Sequence, residues 1–190
     1  MTDQSDIFEQ MHGAWFSDCG RYRYALWRLS ARPGRPFRTP LVFCGLNPST
    51  ADAVRPDTTV TKMRGFAKRL GYTGGIIVIN AFALVSTDPN GLLQGADPVG
   101  RLNDVALELL ALRRDVVCCW GGTNRSLLPR LGAVERKLGR WAASLWCLGR
   151  TKAGHPRHPS RLAYGTPIEP LVRRPSSPGD LELARRVLHR

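Results

Sequence analysis

The chain has 190 residues, 43% of them hydrophobic, and no apolar run long enough to span a bilayer. That fits a single globular domain with a full core and excludes a disordered or membrane-spanning chain. With 28 Lys plus Arg against 15 Asp plus Glu, the net charge is +13. It favours a polyanion bound with release of phosphate counterions, the alternative being an Arg-rich surface that only solvates the fold.

Residues 1–17 read as an N-terminal leader, 18–170 as the core and 171–190 as a tail with a helix over Leu181–Leu188. The polar, acidic start Met1–Asp6 is unlike a signal peptide, so a cytoplasmic location is expected. Arg21–Leu29 alternates like a strand, and after the Pro/Gly break at 31–36 it is expected to pair as a hairpin with Leu41–Cys44. The apolar strand at 41–44 runs into the turn Gly45-Leu-Asn-Pro48, followed by a polar loop to Asp57. Thr58–Leu70 reads as a helix with Val60, Met63, Ala67 and Leu70 on one face.

Ile76–Leu84 is a continuous apolar run, as expected of a parallel strand covered on both sides. Ser86–Arg101 is a long loop, after which Asn103 is expected to cap a helix reaching Arg114. Asp115–Gly122 is the next strand. A helix marked by Leu127, Leu131, Val134 and Leu138 follows, interrupted by Pro129 and Gly132. Ser144–Leu148 is the last core strand, and 149–170 reads as a basic loop. Residues 121–161 hold nine basic side chains against Glu135 alone.

Five cysteines without a Cys-x-x-Cys pair argue against a disulfide framework, a zinc site or an iron–sulfur cluster. Buried thiols are expected instead, with Cys44, Cys118 and Cys147 in apolar strands.

Strands alternating with helices predict a three-layer α/β/α fold with a central, mainly parallel sheet. Each strand ends in a polar or glycine-containing turn, and in a parallel sheet those ends share one edge, where such folds bind ligands. Gly45, Asn47, Pro48, Asn80, Trp120, Gly121 and the His158 loop are thereby expected together. An amide can read the edge of a planar heterocycle, which suits Asn80, while Asn47 can read an edge or place a water. Both are also common turn or strand-end residues.

His158, fixed between Pro156 and Pro159, is placed to donate to a developing anion. Asp57 is either a helix cap or a general base. Trp120 is core or pocket wall, and Gly121 with Gly122 permits close approach of a ligand. Lys152, His155, Arg157, Ser160 and Arg161 are candidate phosphate contacts, and Leu162 a candidate wedge for the gap left by a displaced base. His155 and His158 have no nearby carboxylate or thiol to complete a metal site, so no metal or cofactor is expected. A P-loop, a dinucleotide fingerprint and a serine nucleophile elbow are all missing.

Gly45–Ala51, Asp57-Thr58, Asn80–Ala83, Asn103-Asp104, Trp120-Gly121 and Thr151–Pro159 resemble a bacterial and phage family of unknown function, DUF1643. At longer range the same order resembles the uracil-DNA glycosylase superfamily. Gly45-Leu-Asn-Pro48 is similar to its water-activating motif, Ile76–Leu84 to the strand ending in its base-reading Asn, and His158–Leu162 to its second catalytic motif. The resemblance implies an α/β/α sandwich with a four-stranded parallel sheet. It also implies hydrolysis of an N-glycosidic bond in DNA after base flipping, with Asn80 reading the base, His158 stabilising the departing anion and Leu162 as wedge. The base is expected to be modified or damaged, in a repair, modification or phage-defence setting. Two other readings stand beside it: a transferase that modifies a base or nucleotide in the same pocket, and a non-catalytic nucleic-acid binder.

Overall fold

A computed structural model of the chain describes residues 11–30, 38–49, 58–95 and 97–171. Four short apolar segments form its centre: β3 (Leu41–Gly45), β4 (Gly75–Asn80), β5 (Asp115–Cys118) and β6 (Ser144–Cys147). They run parallel in the order β4-β3-β5-β6. Alternate residues divide between two cores because successive side chains leave opposite faces of a strand. Val42, Cys44, Ile77, Ile79, Val116 and Cys118 face one core, and Leu41, Phe43, Ile76, Val78 and Val117 face the other.

Each core is closed by helix. Met63, Phe66 and Ala67 of α1 (Thr58–Arg69) pack on the Phe43 side, and Val60 and Leu70 contribute to the same face, as their spacing predicts. Leu107 and Ala111 of α2 (Asn103–Ala111), with Leu131, Val134 and Leu138 of α3 (Leu128–Trp141), pack on the Cys44 side. Pro129 lies in the first turn of α3, where its missing N–H has no helical partner to lose, so it starts the helix rather than interrupting it. Gly132 sits inside that helix without breaking it.

The sheet is larger than the expected four strands. Among the described residues it has seven, because β1 (His12–Phe16) and β2 (Arg23–Leu29) extend it antiparallel beyond β4, and β7 (Glu169–Pro170) extends it beyond β6. The hairpin expected between β2 and β3 does not form. β3 is hydrogen-bonded on both sides by parallel neighbours, so β2 pairs with β4, as Leu26 opposite Val78 shows, and makes its hairpin with β1. Part of the expected leader is therefore sheet. β4 ends at Asn80 rather than running to Leu84, although the N–H groups of Ala81 and Phe82 still bond the carbonyls of Gly45 and Leu46. The helix expected over Leu181–Leu188 lies outside the described residues.

Cys44, Cys118, Cys119 and Cys147 are buried and Cys19 is exposed, all as free thiols. Burial raises the thiols of Cys118 and Cys119 well above their ordinary range. Burial, reinforced by the Glu169 carboxylate, pushes Cys147 up to about 12. The Cys19 thiol is instead lowered by its contact with the Ser17 hydroxyl. Since the thiolate is the reactive form, an aromatic disulfide reagent should titrate Cys19 alone in the native protein and all five thiols in denaturant.

Candidate functional site

The C-terminal ends of β3, β4 and β5 open into a cavity of about 320 Å³. Its wall includes Gly45, Asn47, Asn80, Trp120, Gly121 and His158, brought from four separate parts of the chain. Ser49, Gly122 and, from α1, Thr59, Val60 and Met63 also line it.

Asn80 is the most constrained of these groups. It is 4% exposed, and its Nδ2 is buried with no hydrogen-bond partner among the described residues. An orphaned amide donor of this kind costs about 1–3 kcal/mol unless a ligand or water satisfies it. Its backbone is held firmly. Asn103, fully buried, donates from Nδ2 to the carbonyls of Asn80 (3.1 Å) and Ala81 (3.0 Å). Asn103 thus braces the strand end instead of capping α2, where Leu102 occupies the cap position without a side-chain bond.

The Ala81 carbonyl takes a second bond, 2.9 Å from Arg130 Nε on α3. Arg130 also pairs with Asp104 at 2.7 Å, and Lys137 joins the same carboxylate. Burial opposes ionisation of Asp104, but hydrogen bonds from Arg130 and Lys137 outweigh it and leave the carboxyl below its ordinary range.

Gly45 lies directly across from Asn80 in the β3–β4 register. A Cβ at Gly45 would stand 2.7 Å from Asn80 Oδ1, so only glycine allows that amide its position. Asn47 is both brace and wall. Its Nδ2 donates to the carbonyls of Ser86 (2.8 Å) and Pro48 (3.1 Å), which fixes the turn against the following loop. The part of this side chain left to serve a ligand is the carbonyl oxygen. Pro48 is buried behind the turn and its carbonyl accepts the Ser86 N–H, so it supports the wall without lining it.

His158 caps a short 3₁₀ turn, Pro159–Arg161. Its Nδ1 lies 2.9 Å from Ser160 Oγ and accepts from Ser160 N–H at 3.4 Å. The backbone N–H can only donate, so Nδ1 is the acceptor and the neutral ring carries its proton on Nε2. Burial lowers the His158 pKa, although the residue is partly exposed and lines the cavity. Gly121 permits this placement. It adopts φ +77°, it donates its N–H to the Pro156 carbonyl, and a Cβ there would press on His158 Cβ at 3.2 Å. Trp120 is 4% exposed and serves both expected roles, core residue and pocket wall.

The remaining candidates lie outside this wall. Residues 149–157 fold back on themselves through a bridge between Arg150 and Pro156. Lys152 is exposed at the tip, His155 is half-buried in the stem, and Arg157 is exposed while its N–H donates to the Gly149 carbonyl. Ser160 supports His158, and Arg161 is exposed beside it. Leu162 is buried in the core with Met63 and Phe66, and its carbonyl accepts from Lys62 Nζ at 2.9 Å. It offers no exposed wedge, because the apolar contacts with α1 draw it inward. Asp57 lies outside the described residues, which hold no cluster of three potential metal ligands.

Arg23 was missed by sequence reasoning. It is 2% exposed and forms the wall beyond Asn80. Its signal was a cation between Tyr22 and Tyr24 in an otherwise buried strand, a place where a charge requires a purpose. Thr59 and Pro89 carried no comparable signal.

The family model for a protein of unknown function, DUF1643, matches residues 23–160, from the start of β2 to the His158 turn. The chain belongs to the DUF1643 family. No curated protein and no solved structure matches it. The span that matches this family carries every cavity residue set out above, so the site lies wholly within the DUF1643 unit.

Two outcomes follow from this geometry. Asn103→Ala removes both bonds to the Asn80–Ala81 backbone and should lower stability by about 1–3 kcal/mol in chemical denaturation. An NMR titration of this DUF1643 protein should show His158 neutral at pH 7, protonated on Nε2, with a midpoint below about 6.5.

Proposed function

We propose that this DUF1643 protein acts on a nucleic-acid base, hydrolysing the N-glycosidic bond of a modified or damaged nucleotide flipped into the cavity. The observation that carries the reading is the buried, unpartnered Nδ2 of Asn80 in the same cavity as His158 and Asn47. A planar heterocycle with an acceptor on its edge would satisfy Asn80 Nδ2. The four parallel strands with helix on both faces support the three-layer sandwich implied by the resemblance to uracil-DNA glycosylases.

In this mechanism the C1′–N bond breaks and its electron pair leaves with the base. His158 Nε2–H donates to the resulting anion, with Nδ1 held by Ser160. The Asn47 carbonyl oxygen orients the attacking water. An amide is not a base, so the water's proton passes to solvent or to the departed base rather than to Asn47. The exposed cations Lys152, Arg157 and Arg161 hold phosphates near the cavity mouth. DNA is the partner in this reading, and hydrolysis uses no metal.

The test is a mass-spectrometric screen of DNAs carrying varied modified bases. Free base and an alkali-labile site are expected, with Asn80→Ala and His158→Ala each slowing release by about 10²-fold or more. A mass increase on an intact strand would replace hydrolysis with transfer. Unchanged DNA together with binding that weakens steeply with salt would leave a binding protein.

A further inference from the structure

Between β6 and β7 the longest regular element is the short turn Pro159–Arg161, so backbone ladders do little to fix His158. Its position in the cavity has to come from anchors on either side of that turn. The upstream anchor is made of backbone. Gly121 N–H donates to the Pro156 carbonyl at 2.8 Å, and Arg157 N–H donates to the Gly149 carbonyl at 3.0 Å. The downstream anchor is made of side chains that meet α1.

That helix has two roles. Thr59, Val60 and Met63 line the cavity, while Lys62, Gly65 and Phe66 meet the segment that follows His158. Lys62 Nζ donates to the Leu162 carbonyl at 2.9 Å and stands 4.3 Å from the centre of the Tyr164 ring, in cation–π contact. The ring meets Phe66 edge-on, with centroids 5.4 Å apart. It also lies against the bare backbone of Gly65, where a Cβ would overlap the ring carbons. Lys62 and Gly65 are neighbours on one side of the helix because residues three apart stand together. Tyr164 is 39% exposed, so filling the core does not account for it.

We propose that Lys62, Gly65 and Tyr164 are positioning residues, a clasp that ties the His158 turn to α1 and thereby fixes the imidazole in the cavity. Leu162, buried with Met63 and Phe66, supplies the apolar contact beside it. Such a clasp matters because a misplacement of about 1 Å near reacting atoms can cost about 10²-fold in rate. Where His158 sits does not depend on what the cavity binds. The effect of the clasp on turnover does, and that part rests on the hydrolytic reading.

The test is NMR of the imidazole, with long-range proton–nitrogen spectra taken across pH and the His158 signal assigned by its loss in His158→Ala. Gly65→Ala is the decisive variant. It favours the helix, so it should melt no lower than the parent, yet it drives the Tyr164 ring away. Burial lowers the His158 pKa, so a loosened turn should bring the midpoint up towards the ordinary histidine value and release the proton from its fixed place on Nε2. Tyr164→Ala should do the same. Adding Gly65→Ala to it should change nothing further, because the overlap needs the ring. Tyr164→Phe keeps the ring and should match the parent. The cations of the turn and its anchor, Arg157, Arg161 and Lys62, are unchanged in all these variants, so charge does not enter the comparison.

His12 reports on the helix itself. Burial, then Arg28, then Arg64 of α1 lower its pKa, so a displaced α1 would move its midpoint. A His12 shift that accompanies the His158 shift would assign the effect to α1 as a whole and overturn the clasp. A parent-like His158 in both Gly65→Ala and Tyr164→Ala would overturn it as well. The two readings fail separately. No base release from any DNA, with His158 moved in these variants, would sink the hydrolytic reading alone. Base release with His158 unmoved would sink the clasp alone.

Discussion

The arrangement depends on how the chain leaves β4. A parallel strand buried on both faces can end only if its last backbone groups find partners, since an orphaned buried carbonyl or amide is costly. Here Asn103 and Arg130 reach from α2 and α3 to the carbonyls of Asn80 and Ala81. The N–H groups of Ala81 and Phe82 bond the carbonyls of Gly45 and Leu46. With the backbone satisfied from below, the Asn80 side chain is free to present a donor to the cavity rather than to its own strand.

Similar reasoning accounts for the other walls. The Gly45 position opposite Asn80 is fixed by strand register, and its missing Cβ gives the amide room. Gly121 does the same for His158 on the next strand end. Asn47 locks the first turn to the loop at Ser86. The site is thus a set of strand ends whose polar groups are spent on bracing, apart from a few aimed outward. A catalytic pocket requires that arrangement, because a group that moves to find partners cannot be preorganised.

The sequence by itself determined the parallel centre and most of the site. Apolar runs bounded by turns located the four core strands, and the 3.6-residue spacing of Val60, Met63 and Ala67 gave α1 its buried face. The rule that parallel strands end on one edge was enough to gather Asn47, Asn80, Trp120, Gly121 and His158. Only the tertiary structure decided which neighbours β2 would choose, that Asn103 serves Asn80 rather than its own helix, and that Leu162 turns inward. It alone showed that Arg23 lines the cavity. The reason is physical: periodicity and turn chemistry are local, whereas edge pairing, the partners of buried amides and the direction of a loop side chain are set by distant surfaces that compete to cover them.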